Sequence, residues 1–228
     1  MSQNEGGACR LRVRYRKDGR LAHLGHLEVM GTIMRSVRRS GLPFEVGNGF
    51  ARRMRVQFSQ ALPVGASSVA EYYDLMLPEH MDAGEALQAL VDATPRALAP
   101  QEARLLPRRM VALEAWANRA RWEVDLDCDA QEAEEFPGLL EAVLQRGSID
   151  FMRGDKPRHL ELGQTFVSCD AESTSRGLHL VLDTRATEQG SLRPAVLMQA
   201  VVGHTPARVC RVGQWHEAED GTLVDPLA

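Results

Sequence analysis

Arg10-Leu11-Arg12-Val13-Arg14-Tyr15-Arg16 alternates cationic and apolar side chains without a break. Strand side chains point to opposite faces with a period of two. The run therefore predicts a half-buried strand, with Leu11, Val13 and Tyr15 facing a core and the arginines forming an outer face. Lys17-Asp18-Gly19 is turn chemistry. From Ala22 to Ser40, the spacing of Leu24, Leu27, Met30, Met34 and Val37 by three and four predicts a helix with one apolar side, ended by Gly41-Leu42-Pro43. Met54 to Phe58 and Glu71 to Leu77 read as the next two strands. Asp82 caps a helix to about Ala93, and Ala97 to Leu106 supplies a fourth strand, giving the order βαββαβ.

The pattern recurs. Ala120 to Leu126 reads as a strand, Gln131 to Gln145 as a helix, and His159 to Cys169 and Leu178 to Asp183 as two strands. Pro194 to Val202 is a helix opened by proline, and Arg208 to Trp215 a closing strand. The expected fold is α+β, two tandem ferredoxin-like (βαββαβ) units with antiparallel sheets. The expected boundaries are a disordered start over 1–9, a basic domain over 10–112, an acidic domain over 113–218 and a tail over 219–228.

A chain of 228 residues with 44% hydrophobic and 25% charged side chains has the composition of a globular protein, not of a collagen-like or disordered one. No apolar run approaches the roughly 18 to 20 residues that span a bilayer, and the first residues lack the apolar stretch of a signal peptide, so a cytoplasmic location without membrane association is expected. Cys9, Cys128, Cys169 and Cys210 lie far apart, with no spacing that seats zinc or an iron–sulfur cluster. Neither metal nor cofactor is expected from them.

Charge is unevenly placed. Residues 1–60 hold twelve Arg and Lys against four Asp and Glu, although the whole chain carries a net −4. Arginine suits bidentate phosphate contacts and stacking on bases, so the first part reads as a polyanion-binding face. The residues assigned to it are Arg10, Arg12, Arg14, Arg16 and Arg20, together with Phe50, Arg52, Arg53 and Arg55 of a glycine-flanked loop, all converging on one open face. Glycines let backbone approach a phosphate, and Phe50 offers a stacking surface. Arg193, just before Pro194, is a further anion contact at a helix start. His23 and His26, three apart on the first turns of the first helix, share one side of it. His26 is the candidate general base for attack by a neighbouring 2′-hydroxyl.

Several stretches bear a family resemblance. Arg14-Tyr15-Arg16-Lys17-Asp18-Gly19-Arg20-Leu21-Ala22-His23-Leu24-Gly25-His26-Leu27-Glu28, Arg38-Arg39-Ser40-Gly41-Leu42-Pro43, Gly49-Phe50, Ala61-Leu62-Pro63-Val64-Gly65 and Glu71-Tyr72-Tyr73-Asp74 resemble the radical-SAM-associated protein family, a domain of unknown function. The resemblance is close over residues 10–77. It implies an accessory of a radical S-adenosylmethionine enzyme that binds or presents RNA, such as tRNA or rRNA. The family's histidine falls on His26 and its acidic partner on Glu28. Its N-P-H-P-K loop falls on Ala51-Arg52-Arg53-Met54-Arg55, which lacks the histidine and both prolines but keeps the terminal cation as Arg55. Two alternatives stand beside this reading: a metal-independent endoribonuclease using His26, and a pure protein-interaction module.

Overall fold

The structure, a computed structural model, describes residues 7–228. The chain divides into two compact units. The first comprises residues up to Ala117 together with Val224–Ala228, and the second is Asn118–Leu223. The expected boundary at 112/113 shifts because Leu113 and Ala117 pack with Ala70, Tyr72 and Leu227 in the first unit. The last five residues belong there too, rather than forming a separate tail. Of the expected disordered start, residues 1–6 lie outside the described residues, and Cys9 already opens the first strand.

In the first unit, β1 (Cys9–Lys17) is followed by a 3-10 turn (Gly19–His23), α1 (His26–Ser40), β2 (Val56–Phe58), β3 (Ser67–Leu77), α2 (Ala83–Ala93), β4 (Pro100–Leu106) and the single turn α3 (Leu113–Trp116). The strands pair antiparallel in the order β4-β1-β3-β2. Leu11, Val13, Tyr15, Tyr73 and Leu75 line the face toward the helices, where Val29, Ile33, Val37, Ala86 and Leu90 close the core. Each such buried aliphatic side chain is worth about 1.5–3 kcal/mol of transfer free energy. Gly41 ends α1 in the left-handed region (φ 74°), a conformation that costs a Cβ-bearing residue energy. Asp82 Oδ1 caps α2 by accepting from Glu85 N at 2.9 Å.

The opposite face of β1 departs from expectation. Arg10 is 3% and Arg12 0% exposed. Arg12 grips Asp74 with two bonds, Nε to Oδ1 at 2.7 Å and Nη2 to Oδ2 at 2.9 Å, and Arg10 Nη1 donates to the same Oδ2 at 2.8 Å. Arg12 Nη1 also donates to the Pro226 carbonyl at 3.1 Å, and its guanidinium lies 5.0 Å from the centroid of the Trp116 ring. Arg10 donates in addition to the Arg108 and Met110 carbonyls. These arginines are therefore not an outer face. The segment 108–117 and the residues around Pro226 cover them, and Asp74 supplies the countercharge.

In the second unit the elements are β5 (Arg119–Asp127), α4 (Ala130–Gln145), β6 (Ser148–Arg153), β7 (Lys156–Glu161), the short α5 (Leu162–Thr165), β8 (Phe166–Thr174), β9 (Gly177–Thr187), β10 (Gly190–Ser191), α6 (Pro194–Val201) and β11 (Arg208–Glu217). An antiparallel sheet runs β11-β5-β9, with β8 and β10 both on β9, while β6 and β7 form a separate hairpin. The strand expected over His159 to Cys169 is thus broken in two by α5, and its first half belongs to the hairpin. Around Glu217, Arg185 makes a bidentate contact (2.7 and 2.8 Å) and Arg119 a third bond at 3.3 Å. The hydrogen bonds from Arg185 hold the Glu217 carboxyl below its ordinary range, with the charge of Arg119 adding to them.

Two outcomes follow. Asp74→Ala strands two buried guanidiniums and is expected to cost about 3–5 kcal/mol, read as a lower urea midpoint at unchanged slope. Glu217, with its pKa depressed by folding, contributes stability that is complete above the ordinary value of 4.5 and lost as pH falls through the depressed one. Denaturation midpoints measured from pH 4.5 downward should therefore fall less steeply in Glu217→Gln than in the parent, with the variant less stable at neutral pH.

Candidate phosphate-binding surfaces

In the first unit, the two ends of the sheet carry different chemistry. At one end, Lys17 pairs in register with Ser68 and Tyr15 with Glu71, and Lys17, Ser68 and Glu71 are all buried. Lys17 Nζ donates to the Leu24 carbonyl at 2.9 Å, and Gly65 N donates to the Ala22 carbonyl at 3.0 Å. The stretches Gly19–Glu28 and Ala61–Gly65, distant in sequence, are thereby locked together. Sequence reading missed Lys17, Ser68 and Glu71 as a buried polar set. Buried charge in a strand was the available signal, visible only once the register was known.

His23 and His26 do not share a helix face. His23 is exposed at the end of the 3-10 turn, extended backbone intervenes at Leu24 and Gly25, and His26 is the first residue of α1. The half-buried His26 ring meets Phe58 edge-on, with centroids 6.0 Å apart. Glu28 Oε2 accepts from Gly25 N at 2.7 Å, so the family's acidic position caps the helix start. Arg20 is exposed on the 3-10 turn beside His23.

At the other end lies the loop 44–55, tied to β3 by Glu45 N to Met76 O at 2.8 Å and Met76 N to Arg55 O at 3.1 Å. Ser68 and Met76 stand eight residue steps apart along β3, roughly 26 Å of strand. The expected single open face is therefore not formed, because Arg20 and the loop arginines stand at opposite ends. Arg14 pairs with Glu102 at 3.2 Å. Arg16 pairs with Asp18 at 3.4 Å and donates to the Arg96 carbonyl, and Arg55 pairs with Glu45 at 3.2 Å. Glu45 is shared with Arg108, so one carboxylate serves two guanidiniums. Arg52 and Arg53 are exposed and have no carboxylate within ion-pair distance among the described residues. Between them and Gly49 projects Phe50, whose side chain is fully exposed. Arg52 holds φ at 40°, a strained setting for a residue with a Cβ, and its N–H closes a turn onto Gly49 O at 2.9 Å.

The second unit holds a cleft of about 230 Å³ between the β6–β7 hairpin and the β10–α6 segment. Arg153, Arg158 and His159 line it from the hairpin, and Gln189, Ser191 and Arg193 from the other side. Of these, the sequence singled out only Arg193. Arg153 and Arg158 belong to a hairpin whose turn, Gly154-Asp155, was the unread signal. Burial, and then the charge of Arg153, hold the Arg193 guanidinium below its ordinary range. His159 is bonded through Nδ1 to Asp150 at 2.7 Å and through Nε2 to Glu161 at 2.9 Å, and these bonds raise its pKa above 6.5.

No curated protein matches the chain. Among solved structures it is similar to a chain of the "Crystal Structure of a Cbf5-Nop10-Gar1 Complex", at 9% identity and a TM-score of 0.46, with 92% of this chain and 50% of that chain covered. It spans about half the length of that chain. Residues 10–194, which include β1, the loop with Phe50, the hairpin and Arg193, match the family described as "Uncharacterized protein conserved in bacteria (DUF2344)", and the chain belongs to that family.

Proposed function

We propose that the chain is a non-catalytic RNA-binding accessory protein that presents an RNA or RNA-linked substrate to a radical S-adenosylmethionine enzyme in the cytoplasm, and that its two units are tandem ferredoxin-like folds. The strand orders β4-β1-β3-β2 and β11-β5-β9-β8, each built on a βαββαβ succession, support the fold reading, with the β6–β7 hairpin as an insertion in the second unit. The partner enzyme follows from the resemblance over residues 10–77.

One observation carries the RNA reading: a fully exposed phenyl ring beside two unneutralised guanidiniums. An exposed aromatic side chain costs apolar hydration and gains nothing in the free protein, whereas base stacking on such a ring is worth about 1–3 kcal/mol per base. Arg52 and Arg53 add phosphate contacts that ask for no carboxylate to be released first. The RNA contact therefore moves from the strand arginines to the loop. Arg10 and Arg12 hold the sheet together, and Arg14, Arg16 and Arg55 enter only at the expense of an existing ion pair. Glu28 spends its carboxylate on the helix start and His23 is parted from His26, so neither joins His26 as a catalytic partner.

Fluorescence anisotropy with a labelled single-stranded oligoribonucleotide tests this. Phe50→Ala is expected to weaken binding by about 1–3 kcal/mol at every salt concentration. Arg52→Ala with Arg53→Ala should lower the slope of log affinity against log salt by about 0.7 for each lost phosphate contact. Affinity indifferent to all three changes would reject the loop as the RNA site. His26-dependent cleavage of the same RNA in chelator would replace the non-catalytic reading with the endoribonuclease one.

A further inference from the structure

We propose that the cleft of the second unit lined by Arg153, Arg158 and Arg193 binds a phosphate monoester. The argument starts from charge left unpaired. None of the three arginines has a carboxylate within ion-pair distance or a side-chain hydrogen bond among the described residues, yet they border one cleft of about 230 Å³. Elsewhere in this unit, Arg119, Arg121, Arg185 and Arg208 are each matched to an acidic side chain, while Arg146 and Arg176 stand exposed, without an ion pair among the described residues and outside this cleft. The nearby carboxylates of Asp150 and Glu161 are bonded to His159, at 2.7 and 2.9 Å, and not to the cleft arginines. Arg193 is half-buried and Arg153 and Arg158 are exposed beside it, so their mutual repulsion costs free energy in the free protein that a bound anion offsets.

The chemistry of the lining selects the class of anion. Guanidinium forks match phosphate oxygens in pairs, and several forks around one small cavity suit a doubly charged, multi-oxygen group better than a single carboxylate. Arg193 precedes Pro194 at the first turn of α6, so the positive end of that eight-residue helix adds to the same field. Ser191 and Gln189 add neutral donors, and Phe151 gives the cleft an apolar wall for the body attached to the phosphate. At the corresponding place after α1, the described residues of the first unit hold only the isolated bridge Val46–Met54, and none of the cleft arginines lies on the Phe50 loop.

The test uses the whole chain and four probes: inorganic phosphate, adenosine 5′-monophosphate, and a short oligoribonucleotide with a 5′-phosphate or a 5′-hydroxyl. Calorimetry should show saturable binding of at least one phosphomonoester, weakened about tenfold or more by Arg153→Ala and by Arg193→Gln, the loss of one charge-assisted hydrogen bond. Arg153 is exposed and Arg153→Ala removes a repulsion. The melting temperature of the free variant should therefore not fall, while the stabilisation by ligand disappears. Binding of adenosine 5′-monophosphate identifies a free small phosphoester as the source. With the loop's RNA contact removed by Phe50→Ala, Arg52→Ala and Arg53→Ala, a response to the 5′-phosphorylated oligonucleotide but not to its hydroxyl form identifies an RNA end. The same loop variant should leave the binding of inorganic phosphate and adenosine 5′-monophosphate intact, which keeps the cleft separate from the loop's RNA contact. No saturable binding by any probe, affinity unchanged in Arg153→Ala, or loss only in the loop variant would overturn the proposal.

Discussion

Asp74 sits in the middle of β3 and accepts charge-assisted hydrogen bonds from two guanidiniums on β1, with all three side chains nearly sealed from water. Bringing such charges inside costs several kcal/mol per ion, which only near-ideal geometry and complete hydrogen bonding offset. Other donors are met by backbone carbonyls at Arg108, Met110 and Pro226, Arg10 Nε is buried without a partner among the described residues, and the Trp116 ring lies close to the Arg12 guanidinium. The first unit's sheet is thereby buried on one face by helices and apolar contacts, and on the other, at the β1–β3 centre, by an ionic cluster. The positions of segment 108–117 and of the last residues both follow from that centre.

This arrangement redistributes the cationic character of the first sixty residues. Arginines that look alike in the sequence are spent in three ways: buried as structure, paired at the surface, or left open. The last group is the one open to an anion, because a cation already matched to a carboxylate must lose that partner before it gains a phosphate. Phe50, Arg52 and Arg53 form one open set and Arg153, Arg158 and Arg193 another. The first set lies on a loop beside β3, and the second on the β6–β7 hairpin and at the start of α6.

The stretches that carry the family resemblance acquire physical meaning in the same way. Glu28 closes the start of α1, Gly65 bonds to the Ala22 carbonyl, and Lys17 reaches the Leu24 carbonyl. These contacts fix the approach to α1 and so fix where His26 stands against Phe58. Much of that pattern therefore encodes the assembly of one corner of the unit.

Periodicity alone determined most elements. The alternation of Arg10 to Arg16 makes a strand, the three-four spacing up to Val37 makes α1, and Asp82 and Pro194 open helices as their chemistry requires. All of these are local effects, set within a few residues of chain. Only the tertiary structure decided which side of β1 meets water, because the partner that neutralises Arg12 lies 62 residues away and the carbonyl it reaches 214 away. For the same reason the hairpin that gathers Arg153 and Arg158 near Arg193 escaped the reading: its alternation merged with that of β8 until α5 parted them. A sequence states which side chains carry charge. Whether a charge is consumed or left available depends on pairings between distant segments, which local pattern does not encode.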